Sequence, residues 1–436
     1  MNRRAPIFYG WYLVLICIIG MVLIYGIRHS FSVFFTPILV EFGWGRGNVA
    51  MMLSLNILIY GFMAPVAGFF SERWRPRVTM SVGVLILTLA TAACASASEL
   101  RHFYILFGIL MPLGTAFCGW PLFTPALMNW FYKKRGLVLG CAQMGGGLSM
   151  AYAIIVDFAI EKVGWRSAFL ILAGTLMAIF LPLVLLFFYY RPQEKGRVPY
   201  GLDAPTINAQ TLREEDNKAG EDFAEKNLSE ILRSPRLWLL VLSYALCWGI
   251  AHYMILAHQV RFLQDVGFSS MYSASILGLF GIMASGGQAT GFLSDWLGRE
   301  KTITLATISS VTGFTALLLI RDTSQPWLLY VFSICCGYGA GLATPTTFAA
   351  AADIFSGRHF GTVAGLLLSG MGVGSIMGPW LGGFLFDLSG SYTSAFILGM
   401  MSLMLSCLLL WIAAPRMVSR KGWTKQGSQK SSQVTS

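Results

Sequence analysis

Arg28 is a permanently charged side chain inside an apolar run that continues past it to Val33, Phe34 and Phe35. A charge in such surroundings is costly, which makes it a functional candidate by default. Helical spacing sets Tyr25, Arg28, His29 and Ser32 on one face, a polar stripe suited to lining a cavity. No carboxylate lies one turn away along the chain. A planar guanidinium without an internal partner suits a bound carboxylate. The competing reading is an arginine that snorkels to lipid headgroups.

His29 adds a group whose charge changes near neutral pH, and an anion bound beside it would favour protonation. Asp157 is a second proton-carrying candidate, or a helix-end residue. Trp120 and Tyr338 are expected as an aromatic wall, with Asn56, Thr124 and Gln143 as further hydrogen-bonding groups. The eight cysteines all sit in apolar stretches without metal-ligand spacing, which reads as reduced packing thiols. No nucleophile–base pair, metal cluster or phosphate loop is present, so neither an enzyme nor a cofactor is expected.

These residues need elements that hold them in lipid. Of 436 residues, 56% are hydrophobic and 12% charged, against about 25% charged in soluble domains. Runs of about 20 apolar residues, the length that crosses a bilayer, fall near 9–36, 47–70, 78–98, 102–130, 137–160 and 166–190. A second set falls near 236–263, 271–293, 302–320, 327–352, 361–386 and 392–414. The first run is too long for a signal peptide and lacks its cleavage site. The expected fold is an all-α integral membrane protein of twelve transmembrane helices in two pseudo-symmetric six-helix bundles, 1–190 and 235–414. Between them, 191–234 reads as a solvated linker ending in a short amphipathic helix, and 415–436 as a tail.

The formal charge of +11 is not a nucleic-acid patch, because the Lys and Arg residues sit in short loops of one side. The other side holds only Arg46, Arg101, Lys162, Arg166, Arg261 and Arg321. The positive-inside rule therefore places both termini and the linker in the cytoplasm.

The two sets share an internal pattern. Gly68-Phe69-Phe70-Ser71-Glu72 matches Gly291-Phe292-Leu293-Ser294-Asp295 at an offset of 223, Pro121 matches Pro345 at 224, and Gly136 with Gly140 matches Gly361 with Gly365 at 225. The loop Gly68-Phe69-Phe70-Ser71-Glu72-Arg73-Trp74-Arg75-Pro76-Arg77, with its second copy from Gly291 to Arg299, resembles the G-x-x-x-D-R-x-G-R-R signature of major facilitator superfamily transporters. Glu for Asp, Trp and Pro are its departures. Tyr9-Gly10-Trp11, the segment Arg28 to Phe35, Glu41-Phe42-Gly43-Trp44 and Leu228 to Trp238 resemble the bacterial monocarboxylate-transporter-like branch, which includes oxalate/formate exchangers.

Gly26-Ile27-Arg28-His29 aligns with Gly249-Ile250-Ala251-His252, and Tyr25 with Trp248. The resemblance implies that the first and seventh helices face each other, which would put His29 and His252 on opposite walls at one depth, with Gln259 on the His252 face and His258 turned away. It also implies a conformational latch from Glu72, Arg73, Arg77, Asp295 and Arg299. Relatives commonly carry a charged residue in the eighth helix or a lysine in the eleventh; 271–290 and 361–386 have none. The anion's charge would then rest on Arg28 alone, which favours a monocarboxylate over a dicarboxylate. The glycines of 370–383 match a motif linked to antiporters, but in a different helix from the one that carries it there, so they read as close-packing residues.

The expected function is proton-coupled transport of a small organic anion, such as lactate or pyruvate, by a monomer in a bacterial inner membrane. Its partners are the anion, the proton and the lipid bilayer, with no nucleic acid. The alternatives are an anion/anion antiporter of the oxalate–formate type, efflux of hydrophobic compounds, and a solute sensor that does not translocate.

Overall fold

A computed structural model describes residues 8–73, 75–131, 135–201, 228–355 and 360–413. Expectations for most of the linker and for the tail fall outside the described residues. So do the side chains of Glu72 and Arg73.

Eleven continuous helical stretches among the described residues are long and apolar enough to cross a membrane. They include α1 (Tyr9–Phe42), α3 (Pro76–Cys94), α4 (Leu100–Trp130), α7 (Pro235–Val266), α8 (Ser270–Leu297), α9 (Arg299–Leu319), α10 (Trp327–Ile354) and α12 (Thr393–Ala413). The full helices α2 and α11 are Arg46–Arg73 and Phe360–Ser389.

One stretch, Val138–Phe187, has 50 residues. At about 1.5 Å per residue it would be about 75 Å long, more than twice the bilayer core of about 30 Å. It breaks at Gly164, where φ is +79° and ψ 160°. Only glycine adopts that backbone without strain. The break separates α5 (135–163) from α6 (165–187) and gives the twelve crossings that the apolar runs predict. No sheet forms among the described residues; a lone bridge joins Phe131 to Tyr200.

Twelve crossings put Tyr9, at the start of α1, and Ala413, at the end of α12, on one face, the face where Arg191 and Leu228 lead into the linker, here called the linker face. Each half of the chain packs mainly on itself, with α3 on α4 in the first and α10 on α8 and α9 in the second. The halves meet where α2 lies along α11, α5 against α8, and the end of α1 against α7. Large apolar side chains such as Leu89, Ile155, Leu186, Ile308 and Met401 point outward from these helices, as lipid-facing positions must.

At the face opposite the linker the halves are tied together. Arg46 Nη1 pairs with Asp265 at 2.5 Å and donates to the Tyr392 hydroxyl at 3.0 Å. The backbone N–H groups of Arg46 and Gly47 donate to the Asp387 carboxylate. Burial pushes the Tyr392 hydroxyl up to about 12 against the pull of Arg46, so it keeps its proton. That proton reaches His258 Nδ1, whose ring donates from Nε2 to the Pro379 carbonyl. Deeper in, Thr36 bonds Gln264, Gln264 bonds Ser270, and Ser270 donates to Asp157.

At the linker face, Arg77 and Arg299 pair within their own halves among the described residues. Arg77 donates to the Phe188 carbonyl and stands 3.8 Å from Glu194. Arg299 binds Asp295 and Asp353.

Candidate functional site

Between the halves, midway along the helices, lies a cavity of about 120 Å³. The first half supplies Tyr25, Arg28 and His29 from α1, Tyr60 from α2, Trp120 from α4 and Gln143 from α5. The second supplies Tyr244, Trp248 and Tyr253 from α7, Gln288 from α8 and Thr344 from α10. The walls combine six Tyr and Trp side chains with methionines, small residues and a few polar groups, and among the described residues no Asp or Glu lines them. Sites for drug-sized molecules run to roughly 300–1,000 Å³, so this space suits a small solute.

Arg28 is 4% exposed. Its guanidinium lies 4.4 Å from the Tyr60 ring and 5.3 Å from the Tyr25 ring, and it interacts with the Tyr253 hydroxyl across the cavity. The two tyrosines are held by a 2.7 Å bond between their hydroxyls. Yet Arg28 Nε and Nη2 are buried with no hydrogen-bond partner. Cation–π contact offsets part of the cost of burying the charge, about 2 kcal/mol when desolvated. The unpaired Nε and Nη2 N–H groups share one edge of the guanidinium, the edge that takes a bidentate acceptor.

His29 Nδ1 lies 2.7 Å from Ser149 Oγ, and the serine hydroxyl lies 2.6 Å from the Gly146 carbonyl. A carbonyl only accepts, so the serine proton goes there and His29 Nδ1 must donate. That tautomer leaves Nε2 with a lone pair able to take a proton.

Of the residues expected from the sequence, Tyr25, Arg28, His29, Trp120 and Trp248 line this one cavity, with Trp248 Nε1 anchored on Thr344 Oγ1 at 2.9 Å. Three expected members do not join them. His252 is fully buried away from the cavity, with Nδ1 on the Cys247 carbonyl at 2.7 Å and Nε2 towards Ser310 of α9. The cause is local: Ala245–His252 forms π-helical turns, which add a residue per turn and rotate His252 out of register with His29. Gln259 is also fully buried and off the cavity, with both amide atoms unpaired. Tyr338 turns to Thr290, which donates to its hydroxyl at 3.0 Å.

Of the lesser candidates, Gln143 lines the cavity, Asn56 donates to the Phe107 carbonyl, and Thr124 donates to the Trp120 carbonyl. Asp157 lies outside the cavity, as the last acceptor of the chain that runs from Thr36 through Gln264 and Ser270. Sequence reasoning missed Tyr60, Tyr244, Tyr253 and Gln288. The first three are aromatic residues of apolar helices, indistinguishable in sequence from packing residues. Gln288 is an amide within a span, a signal that was available.

A cavity midway between two six-helix halves, with polar groups from both, defines a membrane transporter rather than an enzyme. The Major Facilitator Superfamily model matches residues 16–337 and 313–436, and the chain belongs to that family. It is a secondary-active transporter of a small solute. The chain is 26% identical to monocarboxylate transporter 13 of Rattus norvegicus over 395 residues, covering 89% of this chain and 85% of the relative. It is 25% identical to monocarboxylate transporter 11 of Homo sapiens, covering 94% and 83%. Among solved structures it resembles a bacterial homolog of the human lysosomal transporter Spinster, in an inward-facing and unoccupied conformation. There the TM-score is 0.65 at 19% identity, covering 96% of this chain and 99% of that one.

Proposed function

We propose that this transporter carries a small monocarboxylate, such as lactate or pyruvate, together with a proton. The carrying observation is the buried Arg28 fork, whose Nε and Nη2 have no hydrogen-bond partner among the described residues, in a cavity whose described lining has no carboxylate. An anion there supplies both the countercharge and the missing acceptors. His29, the next residue on α1, takes the proton on Nε2, so anion and proton cross as a neutral pair. Of the sequence candidates, Tyr25, Trp120 and Trp248 shape the pocket around the solute. The names of the monocarboxylate transporters that the chain resembles support the same solute class.

In this reading residues 1–190 and 235–414 rock about the cavity as two units, with 191–234 as the linker and 415–436 as a tail. The linker face is cytoplasmic, in a bacterial inner membrane, and the monomer suffices. The Arg46–Asp265–Asp387–Tyr392 group seals the outer face, and the cavity exchanges with the cytoplasm. Glu72, Arg73, Arg77, Asp295 and Arg299 form the latch that closes the cytoplasmic face in the other state.

The test is uptake of labelled lactate into proteoliposomes. An inwardly directed proton gradient accelerates it; Arg28→Gln abolishes it; His29→Gln keeps lactate–lactate exchange but loses the acceleration. Uptake that ignores the gradient, or survives Arg28→Gln, contradicts the proposal. Acceleration by a trans anion in place of the pH gradient supports the antiport reading of the same site.

A further inference from the structure

Four side chains form one hydrogen-bonded line at the face opposite the linker. Thr36 of α1 donates to Gln264 Oε1 of α7 at 2.5 Å, Gln264 Nε2 donates to Ser270 Oγ at the start of α8 at 3.0 Å, and Ser270 donates to Asp157 Oδ1 of α5 at 2.5 Å. Both ends of the line belong to the first half and its middle to the second, so it stitches the halves together twice. Every proton in it points towards Asp157. An ionised carboxylate at the end dictates that order, and each bond strengthens the next. Asp157 is the one member that titrates in the acid to neutral range.

Asp157 is 4% exposed, and among the described residues no Lys or Arg pairs with it. The charges around it are engaged elsewhere. On α5 itself, Glu161 is a like charge one turn on, and Lys162 turns to the Phe158 ring. On α1, Arg28 and His29 line the cavity, and Glu41 is held by Trp165 and Arg166 of α6. Arg46 of α2 and Arg261 of α7 are both on Asp265. The α3 stretch 78–94 and the α8 stretch 270–290 carry no charge. The Asp157 charge therefore leans on the Ser270 hydroxyl and the amino end of α8.

We propose that Asp157 is a proton-controlled clasp: ionised, it holds α5 on α8 and keeps the face opposite the linker shut; protonated, it lets that face open. A charge-assisted hydrogen bond is roughly twice as strong as a neutral one, and a protonated carboxyl offers only the neutral kind. The interaction joins different halves and exists only in the closed arrangement, so weakening it shifts the population towards the open one. This proton acts at the gate, apart from any proton that His29 carries, and the inference does not rest on Arg28 holding an anion. With the linker face in the cytoplasm, acid outside the cell opens the carrier towards the side the proton comes from.

The experiment places spin labels at Val163 of α5 and Trp327 of α10, 50% and 59% exposed at this face, in solute-free nanodiscs. Pulsed EPR distances are recorded from about pH 8 to about pH 4, which spans carboxylate titration. The wild type should gain a longer distance as pH falls, its closed-to-open ratio dropping about fivefold as a charged bond becomes a neutral one. Asp157→Asn, which keeps the shape and an acceptor oxygen without the charge, should show the acid distribution at every pH. Ser270→Ala, which removes the donor, should also flatten the response. Both variants are checked for folding by melting temperature. Wild-type distances that ignore pH overturn the inference and need no variant. A pH response that survives in either variant overturns it too. Because no solute is present, neither failure touches the Arg28 site.

Discussion

Replacing Arg46 with glutamine should open the face opposite the linker. The arginine donates to Asp265 at 2.5 Å and to Tyr392 at 3.0 Å, and its guanidinium lies 3.6 Å from the Phe386 ring. Its side chain is 11% exposed and that of Asp265 27%, so water screens the pair only partly. A hydrogen bond to a charged group is worth about 1.5–3 kcal/mol and a cation–π contact about 0.5–2 kcal/mol. The Arg46 and Gly47 backbone bonds to Asp387 survive the change, and Asp265 keeps Arg261 at 3.0 Å. The net loss is then about 2 kcal/mol, roughly thirtyfold in the ratio of closed to open. A population about nine-tenths closed becomes mostly open. Spin labels at Val40 of α1 and Leu388 of α11, both 70% exposed at this face, report the opening by pulsed EPR in nanodiscs. The expected result is a second, longer distance in Arg46→Gln. Arg101→Gln is the control, since that exposed arginine pairs only with Glu99 among the described residues. An unchanged distribution in Arg46→Gln, or an equal shift in the control, refutes the reasoning.

Gly383→Leu should prop the same face open by a different route. A Cβ there would stand 2.5 Å from the Gly47 nitrogen and 2.7 Å from the Arg46 carbonyl oxygen, and backbone cannot yield as a side chain can. The label pair should report the longer distance, and transport should slow. Arg299→Gln should instead act within one half, because its partners are Asp295 and Asp353. It should lower the melting temperature, by about 1–3 kcal/mol of stability for a partly buried charged pair, and leave the Val40–Leu388 distance unchanged.

The twelve crossings were legible because lipid demands apolar runs of fixed length, and charges mark their ends. The Arg28 face was legible because α1 is regular α-helix through that turn, so Tyr25, Arg28 and His29 share a wall. His252 was misplaced for the opposite reason: the repeat aligned it with His29, but π-helical turns over Ala245–His252 change the register, and hydrophobicity carries no trace of them. Gln259 followed from the same regular-helix assumption. The outer seal was also hidden. Arg46, Asp265, Asp387 and Tyr392 lie up to 346 residues apart, and each reads singly as an ordinary loop residue.

The central claim is that Arg28 is the anion's partner, and equilibrium binding tests it without any assumption about coupling or direction. Isothermal titration of L-lactate into the purified wild type should show saturable binding to one site. Arg28→Gln, equally folded by melting temperature, should show none. Unchanged affinity in Arg28→Gln would contradict the account.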